Sequence, residues 1–140
     1  MNVDVLIDTN VIIDLAQERE PFVHAANELL NLEALELHMT ASAVTDIYYL
    51  QKKYAGDANA RLFLSYMLGA FKIVDVMEAD CRRALMLPMP DYEDALQAVC
   101  ARRAKCGYII TRNERHYENS PVPAICPEQF LKEWTSHAKP

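Results

Sequence analysis

Glycine is scarce, with three residues in 140, and none follows the first apolar run, where a nucleotide-binding fold would set its phosphate loop. That segment reads Asp8-Thr9-Asn10-Val11-Ile12 and matches neither GxGxxG nor GxxxxGKS/T, which makes a flavodoxin-like nucleotide binder a distant reading. Long apolar runs are absent as well. The longest uncharged stretches, around 38–45 and 62–71, fall well short of the ~18 residues a membrane span requires. Cys81, Cys100, Cys106 and Cys126 form no CxxC pair and no Cys/His run, which excludes a zinc site and suits reduced, mostly buried thiols. The opening MNVDVLIDTN carries acid where a secretory signal carries base and has no small-residue cleavage site, so the expected location is the cytoplasm, without membrane attachment. Base is in short supply too: 14 Lys and Arg face 20 Asp and Glu, a net charge of −6. Tight nucleic-acid binding by phosphate neutralisation alone is thereby excluded.

What remains is half hydrophobic and about one quarter charged (51% and 24%), the composition of one globular domain over 1–140, with a loose tail at 136–140. Apolar runs with strand character fall at Val3–Asp8, Glu36–Thr40, Phe71–Val76, Tyr108–Thr111 and Val122–Cys126, the last weakened to an edge by its proline. Helical spacing occupies the intervals between them. A short helix follows Asp8 or Thr9, and another begins at Pro21. A third covers Ser42–Lys53, ended by Ala55-Gly56-Asp57 before a fourth through Gly69. A fifth covers Glu78–Leu87, the clearest runs from Asp91 to Lys105, and the last covers Pro127–Trp134. Strands alternating with helices predict an α/β fold, a parallel sheet covered on both faces, with ligands collecting at the carboxyl ends of the strands.

Three acids occupy that edge. Asp8 ends the first strand, while Asp46 and Asp94 lie one turn into helices. Carboxylates brought together without a cation repel one another, whereas Mg²⁺ or Mn²⁺ accepts them as hard oxygen ligands. A divalent ion so held polarises a phosphate oxygen and activates water, which suits phosphodiester hydrolysis. Each acid also has a purely structural reading: a helix cap for Asp8, a partner of the helix dipole for Asp94, an exposed first-turn acid for Asp46. Thr111-Arg112-Asn113-Glu114-Arg115-His116-Tyr117 leaves its strand at the same edge. Thr111 and Asn113 suit a water or a phosphate oxygen, Arg112 and Arg115 a substrate backbone, and a lone loop histidine such as His116 is more often structural. Lys52/Lys53, Arg82/Arg83 and Arg102/Arg103/Lys105 offer either the rim of a nucleic-acid groove or solvated helix faces.

The segments LIDTNVIIDL, TASAVTDIYYL and PDYEDALQAVCARRAKCGYIITRNERHY, followed by PAICPEQFL, resemble PIN-domain proteins, in particular the branch of VapC-like toxins from bacterial toxin–antitoxin pairs. The resemblance runs in order from Val3 to about Leu131. It implies a three-layer α/β/α fold around a parallel sheet of four or five strands and metal-dependent endoribonuclease activity on RNA. It also implies an antitoxin partner that inserts a segment near the acidic cleft, and a homodimer. By this resemblance Asp8, Asp46 and Asp94 are the metal ligands, supported by Thr9, Asn10, Asp91 and Thr111, with Asn113 as a water-orienting fourth catalytic residue. Many relatives carry Glu at the place of Asp46, so the shorter Asp can act through water. They commonly carry Asp at the place of Asn113 or of His116, and Phe at the place of Tyr117, so this site holds three acids rather than four. A PIN-like scaffold that binds RNA or protein without cutting is the alternative in a different class.

Overall fold

The computed structural model describes residues 3–138, with side-chain surroundings to 135. Five strands, β1 (Val3–Ile7), β2 (Leu35–Thr40), β3 (Lys72–Val74), β4 (Tyr108–Ile110) and β5 (Ala124–Ile125), form one sheet in the order β3-β2-β1-β4-β5. Every pairing is parallel, with Val5 opposite Leu37 on one side of β1 and opposite Tyr108 on the other. The helices are α1 (Thr9–Ala16), α2 (Val23–Leu30), α3 (Ala41–Ala55), α4 (Asp57–Ala70), α5 (Glu78–Met86), α6 (Tyr92–Arg103) and α7 (Pro127–Ala138), with a 3₁₀ turn at Glu114–Tyr117.

Side chains alternate across a strand, and here both faces are covered, which is why the strands read as unbroken apolar runs. Val5, Ile7, Leu37, Met39 and Ile110 pack with Ile12, Leu29, Ile47, Met67 and Phe130, placing α1, α2, α3, α4 and α7 on one face. Leu6, Val74 and Ile109 point the other way, against Ala98 and Ala101 of α6, and Ala84 of α5 packs on Ala95 and Val99. Each fully buried Leu, Ile or Val contributes about 1.5–3 kcal/mol. Tyr108, Phe130 and Trp134 form an aromatic row with ring centroids 5.7 Å apart that seats α7. The fold is the expected three-layer α/β/α arrangement. None of the described helices is long and apolar enough to cross a membrane.

Local chemistry accounts for most element ends. Gly56, between α3 and α4, has φ +89°, a conformation that an L side chain would strain. Asp91 caps α6 by accepting from Glu93 N at 2.7 Å, and Lys52 and Lys53 close α3 at the end of the dipole that favours cations. Three expectations need correction. Pro21 lies in the turn ahead of α2, which starts at Val23. The strand expected at Phe71–Val76 shrinks to Lys72–Val74, since Phe71 caps α4 and turns into the core. The loose tail expected at 136–140 is helical as far as Ala138, and residues 139 and 140 lie outside the described residues.

All four cysteines are free. Burial pushes the Cys100 thiol up to about 11 and Cys106 up to about 12, so both stay neutral. Asp80 is wholly buried on α5 and held by Arg103 of α6 through Nε at 3.0 Å and Nη2 at 2.8 Å. That guanidinium keeps the Asp80 carboxyl below the usual carboxylate range.

Candidate active site

The chain leaves β1 for β2 on one side and later returns through β4 on the other. The crevice where an open parallel sheet binds ligands therefore lies above the carboxyl end of β1. Asp8 stands there as the first residue beyond the strand. Its place at the head of α1 suits a helix cap, yet its side chain makes no capping bond. Instead, Oδ1 accepts from Gln97 Nε2 at 2.9 Å, and Oδ2 accepts from Thr111 Oγ1 at 2.8 Å and Tyr117 OH at 3.2 Å, with Asn10 Nδ2 further off at 3.4 Å. Those donors come from α6, the end of β4, the 3₁₀ turn and α1, so the carboxylate ties four segments together. Only 7% of Asp8 is exposed, and a charge buried to that degree requires such donors.

Thr111 is fully used: its hydroxyl donates to Asp8 and accepts from Asn10 Nδ2 at 3.2 Å and from Asn113 N at 3.0 Å. Asp94 lies in the first turn of α6, its side chain 13% exposed, with Oδ2 3.3 Å from His116 Nδ1 and Oδ1 3.3 Å from Tyr117 OH. Burial raises its carboxyl to about 6; the charges of Asp8 and Asp91 add to the rise, and His116 and Tyr117 oppose it. Burial likewise drives the Tyr117 phenol far above its ordinary range, reinforced by the charges of Asp8 and Asp94, so this hydroxyl remains a protonated donor.

Asp46 reaches the same cleft from the other helical layer, on an exposed turn of α3. The cleft has a volume of about 550 Å³ and is lined by Asp8, Thr9, Asp46, Asp94 and Gln97, with Tyr49 and Leu50 beside them. Asp8 and Asp94 are thus joined through one phenol, while Asp46 remains apart. Among the described residues no three His, Cys, Asp or Glu side chains come close enough to share one ion.

Other expected residues lie elsewhere. Asn113 is exposed and lines a separate concavity with Arg115 and His116, outside the acidic cleft. Arg112 is not a free substrate contact. Its Nε and Nη2 grip the buried Asp14 of α1 at 2.6 and 3.1 Å, and its guanidinium stacks 4.1 Å over the Phe22 ring. Arg115 has no such partner among the described residues and is exposed. Lys53 of the first basic cluster stands over the ring of Tyr49 at the cleft, but the other two clusters lie away from the acids. Arg82 pairs with Glu78, Arg103 with Asp80, and Arg83 and Arg102 line a different groove, beside Met86 and Pro121.

Sequence reasoning missed Gln97 and gave Tyr117 no role. Gln97 follows Asp94 by one helical turn, on the same face of α6, which was the available signal. Tyr117 stood out only as a departure from the phenylalanine of the resembled family.

Comparison with known proteins agrees with this fold. The chain is 24% identical to Ribonuclease VapC1 of Aquifex aeolicus, over 94% of this chain and 96% of that protein. A DNA-bound VapBC structure from Salmonella typhimurium superposes with a TM-score of 0.71 at 15% identity, covering 89% of this chain and 98% of that one. A toxin–antitoxin complex from Klebsiella pneumoniae superposes with a TM-score of 0.68 at 22% identity, covering 88% and 97%. A family model described as PIN domain matches residues 4–115, and with that match over most of its length the chain belongs to the PIN domain family.

Proposed function

We propose that the protein is a Mg²⁺- or Mn²⁺-dependent endoribonuclease of PIN type, the toxin of a VapBC-like pair. The observation that carries this reading is Asp8, buried at the switch point of the sheet with its capping role forgone and linked to Asp94 in an open cleft that Asp46 also lines. The similarity to a ribonuclease VapC1 supports the substrate class.

The residues fit a divalent ion. The candidate ligands are hard carboxylate oxygens, and Gln97, which lines the cleft, keeps a buried Oε1 without a hydrogen-bond partner, an acceptor of the kind that the water shell of a hydrated ion satisfies. Asp8 and Asp94 would hold the ion, with Asp46 acting through water, and the ion supplies Lewis acidity at the scissile phosphate. Thr111, Asn10 and Gln97 fix the Asp8 carboxylate, Asp91 holds the start of α6, and Thr9 lines the cleft. Arg115, exposed and without a side-chain partner among the described residues, is a cation that would meet the RNA backbone.

The same reading gives the chain an antitoxin partner, supported by its similarity to toxin–antitoxin complexes and by exposed Tyr49 and Leu50 at the cleft, and it pairs the chain with a second copy of itself. The test is cleavage of labelled RNA by the purified chain with Mn²⁺ and with chelator. Asp8→Asn should abolish cutting with the fold intact, and undiminished cleavage by that variant would sink the assignment. The position of Asn113 outside the cleft favours a second reading, a PIN-like scaffold that binds without cutting. For that protein, millimolar Mn²⁺ would give neither heat nor thermal stabilisation.

A further inference from the structure

We propose that Tyr117, steered by Gln97, is a positioning residue whose hydroxyl ties Asp8 and Asp94 together for the divalent ion they would hold. The inference rests on the metal-dependent reading above and deepens it. The phenol has one proton and two carboxylate acceptors at nearly equal distance, Asp8 Oδ2 at 3.2 Å and Asp94 Oδ1 at 3.3 Å. Gln97 decides where that proton goes. Its Nε2 donates to the phenol oxygen at 3.0 Å and to Asp8 Oδ1 at 2.9 Å, which fills a lone pair of the hydroxyl and leaves its proton to the carboxylates.

The amide cannot turn over, because an ionised Asp8 only accepts. Turned over, Gln97 would set Oε1 against the Asp8 carboxylate, oxygen facing oxygen; as it stands, Oε1 is buried on the other side of the amide and Nε2 serves Asp8 and Tyr117 together. The ring of Tyr117 is 4% exposed and packs with Leu6, Ala98, Ile109 and Val122, so the hydroxyl has a rigid mount.

The two acids depend on this hydroxyl unequally. Without it, Asp8 keeps Gln97, Thr111 and Asn10. Asp94 would keep only the exposed His116 and, repelled by Asp8, would turn toward solvent. A cation would then meet one fixed carboxylate and one that must be recaptured.

The experiment is a calorimetric Mn²⁺ titration of the full chain and three variants. Tyr117→Phe, which keeps the ring, should weaken Mn²⁺ binding about 10- to 100-fold, the range for hydrogen-bond partners of metal ligands. Gln97→Met should weaken it at least about threefold, through the unsteered hydroxyl and the donor lost to Asp8. Val122→Ala loosens the same packing but keeps the hydroxyl, so it should lower the thermal midpoint and leave Mn²⁺ affinity unchanged. Affinity in both Tyr117→Phe and Gln97→Met within threefold of the parent overturns the proposal, as does an equal loss in Val122→Ala. A parent chain that takes up no Mn²⁺ overturns the metal-dependent reading itself, an outcome distinct from failure of the tyrosine's role.

Discussion

Replacing Asp94 with Asn should make the metal-free protein more stable above about pH 6. The Asp94 carboxyl is raised from 3.8 to about 6 by burial and by Asp8 and Asp91. Between those two values the folded chain holds the proton and the unfolded chain has released it, so stability falls as pH climbs through the interval and is level above it. A rise of that size corresponds to roughly 3 kcal/mol, a large share of the 5–15 kcal/mol by which a domain is usually stable. The side chain is only 13% exposed, so solvent screens little of this. Asparagine carries no charge at any pH and can still accept from Tyr117. The assay is urea unfolding of both proteins in chelator from about pH 4 to 8. The advantage of the variant should grow by roughly 3 kcal/mol from the acid to the alkaline end, equivalent to a difference of about 10 °C in Tm. Mn²⁺ should then reverse the order, stabilising the parent by about 2.7 kcal/mol at a hundredfold excess over Kd and leaving the variant unmoved. A difference that stays flat across the pH range would refute the reasoning, because it would mean that Asp94 is ionised in the folded state at no cost.

Arg103→Met should cost about 3–5 kcal/mol by leaving Asp80 charged and unpaired in the α5–α6 interface, read as a lower urea midpoint at pH 7 with an unchanged slope. Arg112→Ala should act in the same direction but cost less, because the buried Asp14 keeps Arg19, whose Nη1 lies 3.9 Å from its Oδ1, and its loss of RNA cleavage should follow the fraction unfolded. Arg115→Ala should leave the unfolding midpoint within about 0.5 kcal/mol and raise KM for RNA, with a shallower dependence on salt. Equal effects of the two arginine variants on KM at full folding would restore Arg112 as a substrate contact.

The layered order of the fold was legible because the strands are buried on both faces and announce themselves as apolar runs, and because Gly56 and Asp91 mark helix ends by their own chemistry. Strand β3 was overdrawn since Phe71 looks as apolar in a sheet as it does beneath a helix end. In the site, Asp8 and Asp94 were visible from their places at a strand tip and a helix start. The pairing of Arg112 with Asp14 was also in plain view: Asp14 interrupts the apolar face of VIIDLA, and an acid in such a place requires a cation. Gln97 and Tyr117 were out of reach for a different reason. Their bonds to Asp8 span 89 and 109 residues, and nothing in the local pattern of a buried glutamine or tyrosine names so distant a partner.

Those separations also bear on the order in which the molecule comes into being. Chains emerge from synthesis amino end first, and Asp8, made almost at once, waits more than one hundred residues for Thr111 and Tyr117. Strands β1, β2 and β3 can pair while β4 is still unmade, but the acidic cleft cannot close around its first carboxylate. A chain interrupted before residue 117 would carry much of the sheet and all three acids, yet lack the hydroxyl that joins two of them.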